Sequence, residues 1–212
     1  MRIFLTFLLV LVLGQAALAA PPAPAPDRQI VASAKTLLSG YEAVPSATDW
    51  ARVGPAEQVA AALMALVQSE RTIIAARATS SLDHFARPEV RVFLEARLDD
   101  HNLPLTLRGK AAIALAGAFG DDAADAIAPL FAAREPELRE DAIRAYRRMV
   151  GPAAERFLLG RAAREPDPRL ADLMKQASGR IVAVRMQKSV DQTLDMRVLS
   201  LPGIDDPGPV IR

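Results

Sequence analysis

The chain has 212 residues, enough for one domain of ordinary size with short tails. Apolar residues make up 51% of it and aromatic residues only 5%, and this alanine-rich composition favours closely packed helices over sheets. The formal net charge of +1 excludes an overall field that would attract nucleic acid or an anionic membrane, and the absence of cysteine excludes disulfides and cysteine-based metal sites.

Residues 1–19 have the pattern of a signal peptide. A positive N-terminal end precedes an almost unbroken apolar run over residues 3–13, and Ala17 and Ala19 supply the small residues that signal peptidase recognises. We therefore expect cleavage after Ala19 and export to the periplasm or out of the cell. An uncleaved membrane anchor is the competing interpretation, although the run is shorter than the roughly 20 apolar residues of a spanning helix. Residues 20–26, rich in proline and alanine, predict a stiff linker.

Two irregular helices are predicted next. The first covers residues 27–39, where Asp27 is a favoured N-cap and Gly40 ends the helix. A loop over residues 41–54 contains the only tryptophan, and the second helix begins at Pro55, a favoured first-turn residue. A solenoid needs such atypical ends, because its outermost unit has no neighbour to cover its apolar face.

A tandem pattern of helical units begins near residue 70. The letters Ala-Arg-Glu-Pro occur at residues 133–136 and return at residues 163–166. The first helix of each unit has inward positions at i, i+4 and i+8, the stripe of a helix packed on one side. These positions are Ile74, Ala78 and Leu82; Leu107, Ala111 and Leu115; Leu138, Ala142 and Tyr146; and Pro168, Asp172 and Gln176, with steps of 33, 31 and 30 residues. The match fades in the fourth unit, as expected of a cap, and a period near thirty is typical of stacked helix pairs.

Each unit is also predicted to have a second helix, and the three cover residues 88–98, 121–134 and 152–164. The joints between paired helices are short, as at Gly120 and Gly151, so the paired helices are expected to be antiparallel.

The helical domain is predicted to cover residues 27–190 and to close with a longer helix over residues 166–188. Basic residues gather near the end of that helix, among them Arg180, which suits the negative end of a helix dipole. Residues 191–212 contain Leu-Pro-Gly and Pro-Gly-Pro and predict a flexible tail.

These features resemble the HEAT-repeat family over roughly residues 70–180. The resemblance rests on positions that recur at Pro104, Leu107, Arg108 and Ala111, at Pro136, Leu138, Arg139 and Ala142, and at Pro166, Pro168 and Arg169. The first unit departs from the pattern, with Ala75 where the arginine is expected. The short period is similar to that of bacterial members, including phycobilisome lyase subunits. The resemblance implies an all-α, armadillo-type solenoid of stacked antiparallel helix pairs, in which the arginine helps to bind adjacent repeats.

Two sets of polar residues favour structural roles. His84 and His101 lack the spacing of a ligand pair, so we expect surface or capping histidines and no metal site. Asp121, Asp122 and Asp125 have the chemistry for acid/base work or for Ca²⁺, but they lie at a predicted helix start, where carboxylates cap the helix.

Four arginines form a candidate partner-binding patch: Arg139, Arg144, Arg147 and Arg148. Arg144 and Arg148 are four residues apart and share a helix face. Such a patch suits an acidic peptide, a phosphate or a carboxylate. The competing interpretation is a solvated face paired with Glu137, Glu140 and Asp141.

The sequence contains no nucleophile elbow, glycine-rich phosphate loop or catalytic triad in motif context, so we expect no catalytic residues, cofactor or small-molecule substrate. The expected function is that of an exported scaffold or adaptor, which binds a protein partner on a concave surface lined by the second helices. The alternatives are a lyase-like or chaperone-like subunit that holds a client or substrate for an enzyme complex, and a membrane-tethered envelope adaptor with an uncleaved N-terminus.

Overall fold

The computed structural model describes residues 25–40, 44–68 and 72–199, which form helices and no strands. The α-helices are α1 (Arg28–Ser39), α2 (Ala47–Val53), α3 (Ala56–Val67), α4 (Thr72–Ser81), α5 (Pro88–Asp99), α6 (Leu105–Phe119), α7 (Ala124–Ile127), α8 (Pro136–Tyr146), α9 (Pro152–Ala162) and α10 (Pro168–Leu199). The predicted all-α class is therefore confirmed. The expected signal peptide, most of the linker and residues 200–212 of the expected tail lie outside these ranges. None of the helices within them is both long and apolar enough to span a bilayer.

The N-terminal helices agree with the sequence pattern except over residues 41–54. The carboxylate of Asp27 caps α1 by accepting a hydrogen bond from the Gln29 backbone N–H. The predicted loop is wrong, because α2 lies within it. The Ser46 hydroxyl accepts from the Asp49 N–H while the Asp49 carboxylate accepts from the Ser46 N–H, a reciprocal cap that starts a helix of only seven residues. This helix places Trp50 in the core, 2% exposed.

The first helices of the predicted units carry the core. Every inward position predicted for the first three units, from Ile74 to Tyr146, is buried. Helix α6 packs against both α4 and α8, and α8 also contacts α10. Each apolar stripe is therefore covered by helices of neighbouring units, while α5 packs on α6 and α9 packs on α10.

The register predicted for the fourth unit is wrong. Its expected inward positions, Pro168, Asp172 and Gln176, are exposed. Helix α8 begins at Pro136 and α10 at Pro168, a step of 32 residues, whereas the Ala-Arg-Glu-Pro letters step by 30. The extra two residues lie in the loop before α10, so the buried stripe shifts to Leu170, Met174, Ala177 and Ile181.

The middle second helix is also different from the prediction. Residues 121–134 form a 3-10 turn over Gly120–Ala123, the short α7 and a second 3-10 turn over Ala128–Ala132. Pro129 lies in this segment and has no N–H to donate to the turn before it, which disfavours a continuous α-helix. The backbone nevertheless stays helical enough to bury Ile127, Leu130 and Phe131.

Three aromatic rings join this segment to α8 and α9. Phe131, Tyr146 and Phe157 lie with their ring centroids 4.9 to 5.1 Å apart, two pairs edge-to-face and one stacked. The Tyr146 hydroxyl donates to the carbonyl oxygen of Ala124 at 3.0 Å. Burial of the phenol raises the pKa of Tyr146 to about 12, so it remains a neutral donor at ordinary pH.

Polar contacts also recur about one unit apart. Each joins a side chain to a residue 30 or 31 positions away: Arg91 to the Asp122 carbonyl, Asp121 to the Gly151 N–H, Arg161 to the Phe131 carbonyl, and Arg185 to Glu155. The same spacing in four places is close to the period of the predicted units.

Helix α10 continues beyond the predicted start of the tail. Residues 191–199 belong to it, so a flexible tail beginning at residue 191 is wrong. Arg185 pairs with Glu155 on α9 at 2.8 Å, and the side chains of residues 186–192 are exposed. The dipole explanation for Arg180 also fails, because that residue lies in the middle of the helix rather than at its end.

We expect Leu115→Ala to lower the free energy of unfolding by about 2–5 kcal/mol, because Leu115 is fully buried where α6 packs on its neighbours. Leu105→Ala on the same helix is the control. Its side chain is 36% exposed, so we expect a loss below about 1 kcal/mol. Urea denaturation followed by circular dichroism measures both, and equal losses would contradict the assignment of Leu115 to the core.

Candidate functional site

A groove of about 750 Å³ is lined by residues of α6, α8 and α10 and of the turn after α8. Arg144, Arg147 and Arg148 come from the end of α8 and from that turn, and Arg180 comes from α10. Three of the four arginines of the predicted patch therefore lie together. The groove also contains apolar side chains: Ile113, Met149, Val150, Leu173 and Val184.

The sequence of α8 explains why cations collect here. Arg144 lies in the last turn of the helix and Arg147 is its C-cap. Backbone carbonyls at a helix C-terminus carry a partial negative charge, so cations are favoured there by roughly 0.3–1 kcal/mol each. The patch is thus compatible with the local fold before any ligand is considered.

Arg144 is balanced by acids on its own helix. Its guanidinium donates to Glu140 at 2.6 Å and to Asp141 at 3.2 Å. Asp141 is partly buried against Gly109 of α6, where an added Cβ would lie 1.8 Å from the Asp141 Oδ2 atom. Burial raises the pKa of the Asp141 carboxyl, and the nearby charge of Arg144 opposes this rise. For Arg144, the competing interpretation therefore applies: its charge is paired with acids on the same helix face.

Arg148 reaches across α6 to a residue 65 positions earlier. Its Nη2 atom donates to Asp83 Oδ2 at 2.8 Å. The two side chains meet over Gly117, where an added Cβ would lie 2.7 Å from the Asp83 Cβ and 2.8 Å from the Arg148 Nη2. Only a residue without a side chain leaves room for this ion pair. It fixes one edge of the groove to the end of α4.

The two histidines lie in different surroundings. The Nε2 atom of His84 lies 3.4 Å from Asp83 and 3.2 Å from the carbonyl oxygen of Pro45, which ties the end of α4 to the N-terminal helices. His101 is exposed and borders a separate cavity of about 410 Å³. Among the residues that the structure describes, no group of three His, Cys, Asp or Glu is placed to hold a metal ion.

Arg139 does not belong to the arginine patch. Its Nε lies 3.2 Å from Glu165, and these side chains are only 12% and 0% exposed. Its Nη1 donates to the carbonyl oxygens of Ala133 and Arg134 at 2.9 and 3.1 Å. Arg108 occupies the equivalent place one unit earlier and donates to the carbonyl of Leu98 at 3.0 Å. Both arginines satisfy carbonyls that follow the preceding second helix or end it.

Arg147 and Arg180 differ from the other cations of the groove. Both are exposed, and within the described ranges neither side chain has an ion-pair or hydrogen-bond partner. Arg180 is not among the four arginines of the predicted patch. A signal was present, because Leu173, Arg180 and Val184 lie at i, i+7 and i+11 and so share one helix face.

The acidic cluster has a different role from the predicted one. The 3-10 turn at Gly120–Ala123 has no side-chain cap. Instead, the carboxylate of Asp121 accepts from the Gly151 N–H at 2.9 Å, at the start of α9 in the next unit. Asp122 and Asp125 are exposed, and Asp122 contributes its backbone carbonyl, which accepts from Arg91 at 3.0 Å.

Comparisons with known proteins add no family to these observations. No protein-family model matches the chain, and no curated protein is significantly similar to it. The function is therefore argued from the groove and from the contacts between units.

Arg139→Met is expected to lower the free energy of unfolding by about 3–5 kcal/mol, because it leaves the buried Glu165 carboxylate without its partner. Arg147→Met, which removes an exposed cation without an ion pair in the described ranges, is expected to change it by less than about 1 kcal/mol, the upper end of the helix-dipole contribution. Equal unfolding midpoints in urea for the two variants would show that Arg139 has no structural role.

Asp121→Ala should cost about 1 kcal/mol, since it removes the carboxylate at the N-terminus of α9. Asp122→Ala removes the same charge at the adjacent position but leaves the backbone contact to Arg91 intact, so we expect a smaller loss, below about 0.5 kcal/mol. Thermal unfolding at neutral pH compares the two, and a larger effect at Asp122 would contradict the cap.

Proposed function

We propose that this chain is a HEAT-like α-solenoid that acts as an exported protein-binding scaffold or adaptor. Two observations support the solenoid. Polar contacts recur at 30 or 31 residues, and first helices contact the first helices of neighbouring units. The arginines of the HEAT resemblance, Arg108 and Arg139, satisfy carbonyls of the preceding second helix or just after it, as expected for residues that bind adjacent repeats.

The proposal that this chain binds a partner depends on the groove. Elsewhere in the described chain most of the large exposed apolar residues are scattered singly, such as Ile73 on α4, Val92 on α5 and Leu159 on α9, and the exception is the pair Met186 and Val190, four residues apart on α10. Scattered apolar residues are ordinary on protein surfaces and indicate no site. The groove instead combines several arginines with apolar side chains in one concavity. Binding sites for protein partners have this character, with apolar anchors and a polar rim.

The groove changes which face we propose for binding. The pattern of the units predicts a partner on a surface lined by the second helices. The groove is lined by α6, α8 and α10, which are the first helices of their units. We therefore propose that the partner is held on the side of the first helices, near the C-terminal end of the domain.

Export is part of the proposal and depends on the sequence of residues 1–19, with cleavage expected after Ala19. The partner would then be a protein of the cell envelope or of the surrounding medium. Binding of this kind uses the surface alone, so the proposal involves no cofactor and no catalytic residue.

Site-specific photo-cross-linking in a bacterium that exports the chain tests the proposal. A photoreactive amino acid at Val150, which lines the groove, is expected to give a discrete adduct with an envelope protein. The same group at Val92 or Leu159, both exposed on second helices, is the control and is expected to give none. Absence of adducts at all three positions contradicts the scaffold, and adducts at the controls alone contradict the choice of face.

A further inference from the structure

We infer that the groove binds an extended acidic peptide of a partner protein, with apolar residues between its carboxylates. This inference rests on the proposed scaffold function and names the chemistry of its ligand. It depends on the charge balance within the groove, on the apolar side chains between the arginines, and on the fixed positions of two of those arginines.

The charges in the groove do not balance. Four arginines line it, and Glu140 is the only acid among the lining residues. That carboxylate is already shared, because it lies 2.6 Å from Arg144 and 2.7 Å from Arg169. Even with the outside partners Asp141 and Asp83, the described part of the chain supplies no acid to two guanidinium groups, those of Arg147 and Arg180. An anionic ligand supplies the missing charge.

The two unpaired arginines are on different elements. Arg147 caps α8, whereas Arg180 belongs to α10. A guanidinium presents donors in a planar fork that fits a carboxylate through two parallel hydrogen bonds. A ligand with several carboxylates along its length can offer one to each of these arginines.

The apolar side chains distinguish a peptide from other anions. Ile113, Leu173 and Val184 lie in the groove with the arginines, and a free phosphate would leave them in contact with water. None of the lining residues, all of which lie in described ranges, is aromatic, so no ring is present on which a nucleic-acid base would stack. A peptide with alternating acidic and apolar side chains covers both kinds of surface.

The paired arginines preorganise the groove. Arg148 is held over Gly117 by Asp83, and Arg144 is held by Glu140 and Asp141. Their charges are largely compensated, so they contribute less to binding than the two unpaired arginines. The affinity is therefore expected to depend mainly on Arg147 and Arg180, although all four line the same concavity.

Selection from a random dodecapeptide phage library on the mature chain, residues 20–212, tests the inference and does not require the natural partner. We expect the enriched peptides to contain Asp or Glu next to apolar residues. Fluorescence anisotropy with a labelled enriched peptide then measures affinity. The double variant Arg147→Ala/Arg180→Ala is expected to bind about 10- to 100-fold more weakly, since each substitution removes a charged hydrogen-bonding group.

A matched control removes the same charge elsewhere. Arg156 and Arg164 are exposed and lie outside the groove lining, so Arg156→Ala/Arg164→Ala should bind within about twofold of wild type. Arg147→Lys/Arg180→Lys keeps the charge but loses the fork, and we expect intermediate affinity. Circular dichroism of each variant should match that of wild type, because the substituted residues are exposed.

Several results would overturn the inference. These are enriched peptides without an excess of acids, equal binding to the double variant, or an equal loss in the matched control. Binding of anionic vesicles that depends on Arg147 and Arg180, without enrichment of acidic peptides, would indicate a membrane surface instead. If the cross-linked adduct at Val150 persists in the Arg147→Ala/Arg180→Ala variant, the scaffold function stands and the acidic-peptide inference falls. If no adduct forms at any position, the scaffold function itself falls.

Discussion

The close approach of α6 to its neighbours is the constraint on which the rest of the structure depends. This helix is buried by contacts with α4, α5 and α8, and most of its inward residues are alanine or glycine. Small side chains let helices pack at short distance, and packed interiors leave little room for added atoms. Gly109 accommodates Asp141, and Gly117 accommodates the ion pair of Arg148 with Asp83. Two arginines of the groove, Arg144 and Arg148, thus depend on the space left by glycines of α6.

The arginines of this chain have three physical roles that their spacing does not separate. Arg108 and Arg139 are largely buried and satisfy backbone carbonyls, so their charge serves packing between units. Arg144 is compensated by acids on its own helix. Arg147 differs from it by three positions and has no ion pair within the described ranges, so its charge remains available. What distinguishes the three roles is the position of the nearest acids and carbonyls, which lie at the end of the preceding second helix for Arg108 and Arg139 and on the same helix for Arg144.

The elements predicted correctly are those with a long apolar period, such as α6 and α8, because burial of one face determines both the period and the helix. The short α2 was missed because it has few residues to show a period, although Ser46 and Asp49 carried a capping signal. The middle second helix was predicted as continuous, and Pro129 is the local reason why it is interrupted. The role of Asp121 was not predictable in this way, because its partner at Gly151 is supplied by the next unit. The shift of the fourth unit likewise depends on loop length rather than on the repeated letters.

The contact between Arg148 and Asp83 limits how the length of this protein can change. Four polar contacts join residues 30 or 31 apart, close to the period of the predicted units. Arg148 and Asp83 are 65 residues apart and meet across an intervening helix. A shortened chain without α6 would therefore lose Gly117, over which these two side chains meet. Deletion of the segment that contains α6 would remove one wall of the groove together with the contact that fixes Arg148.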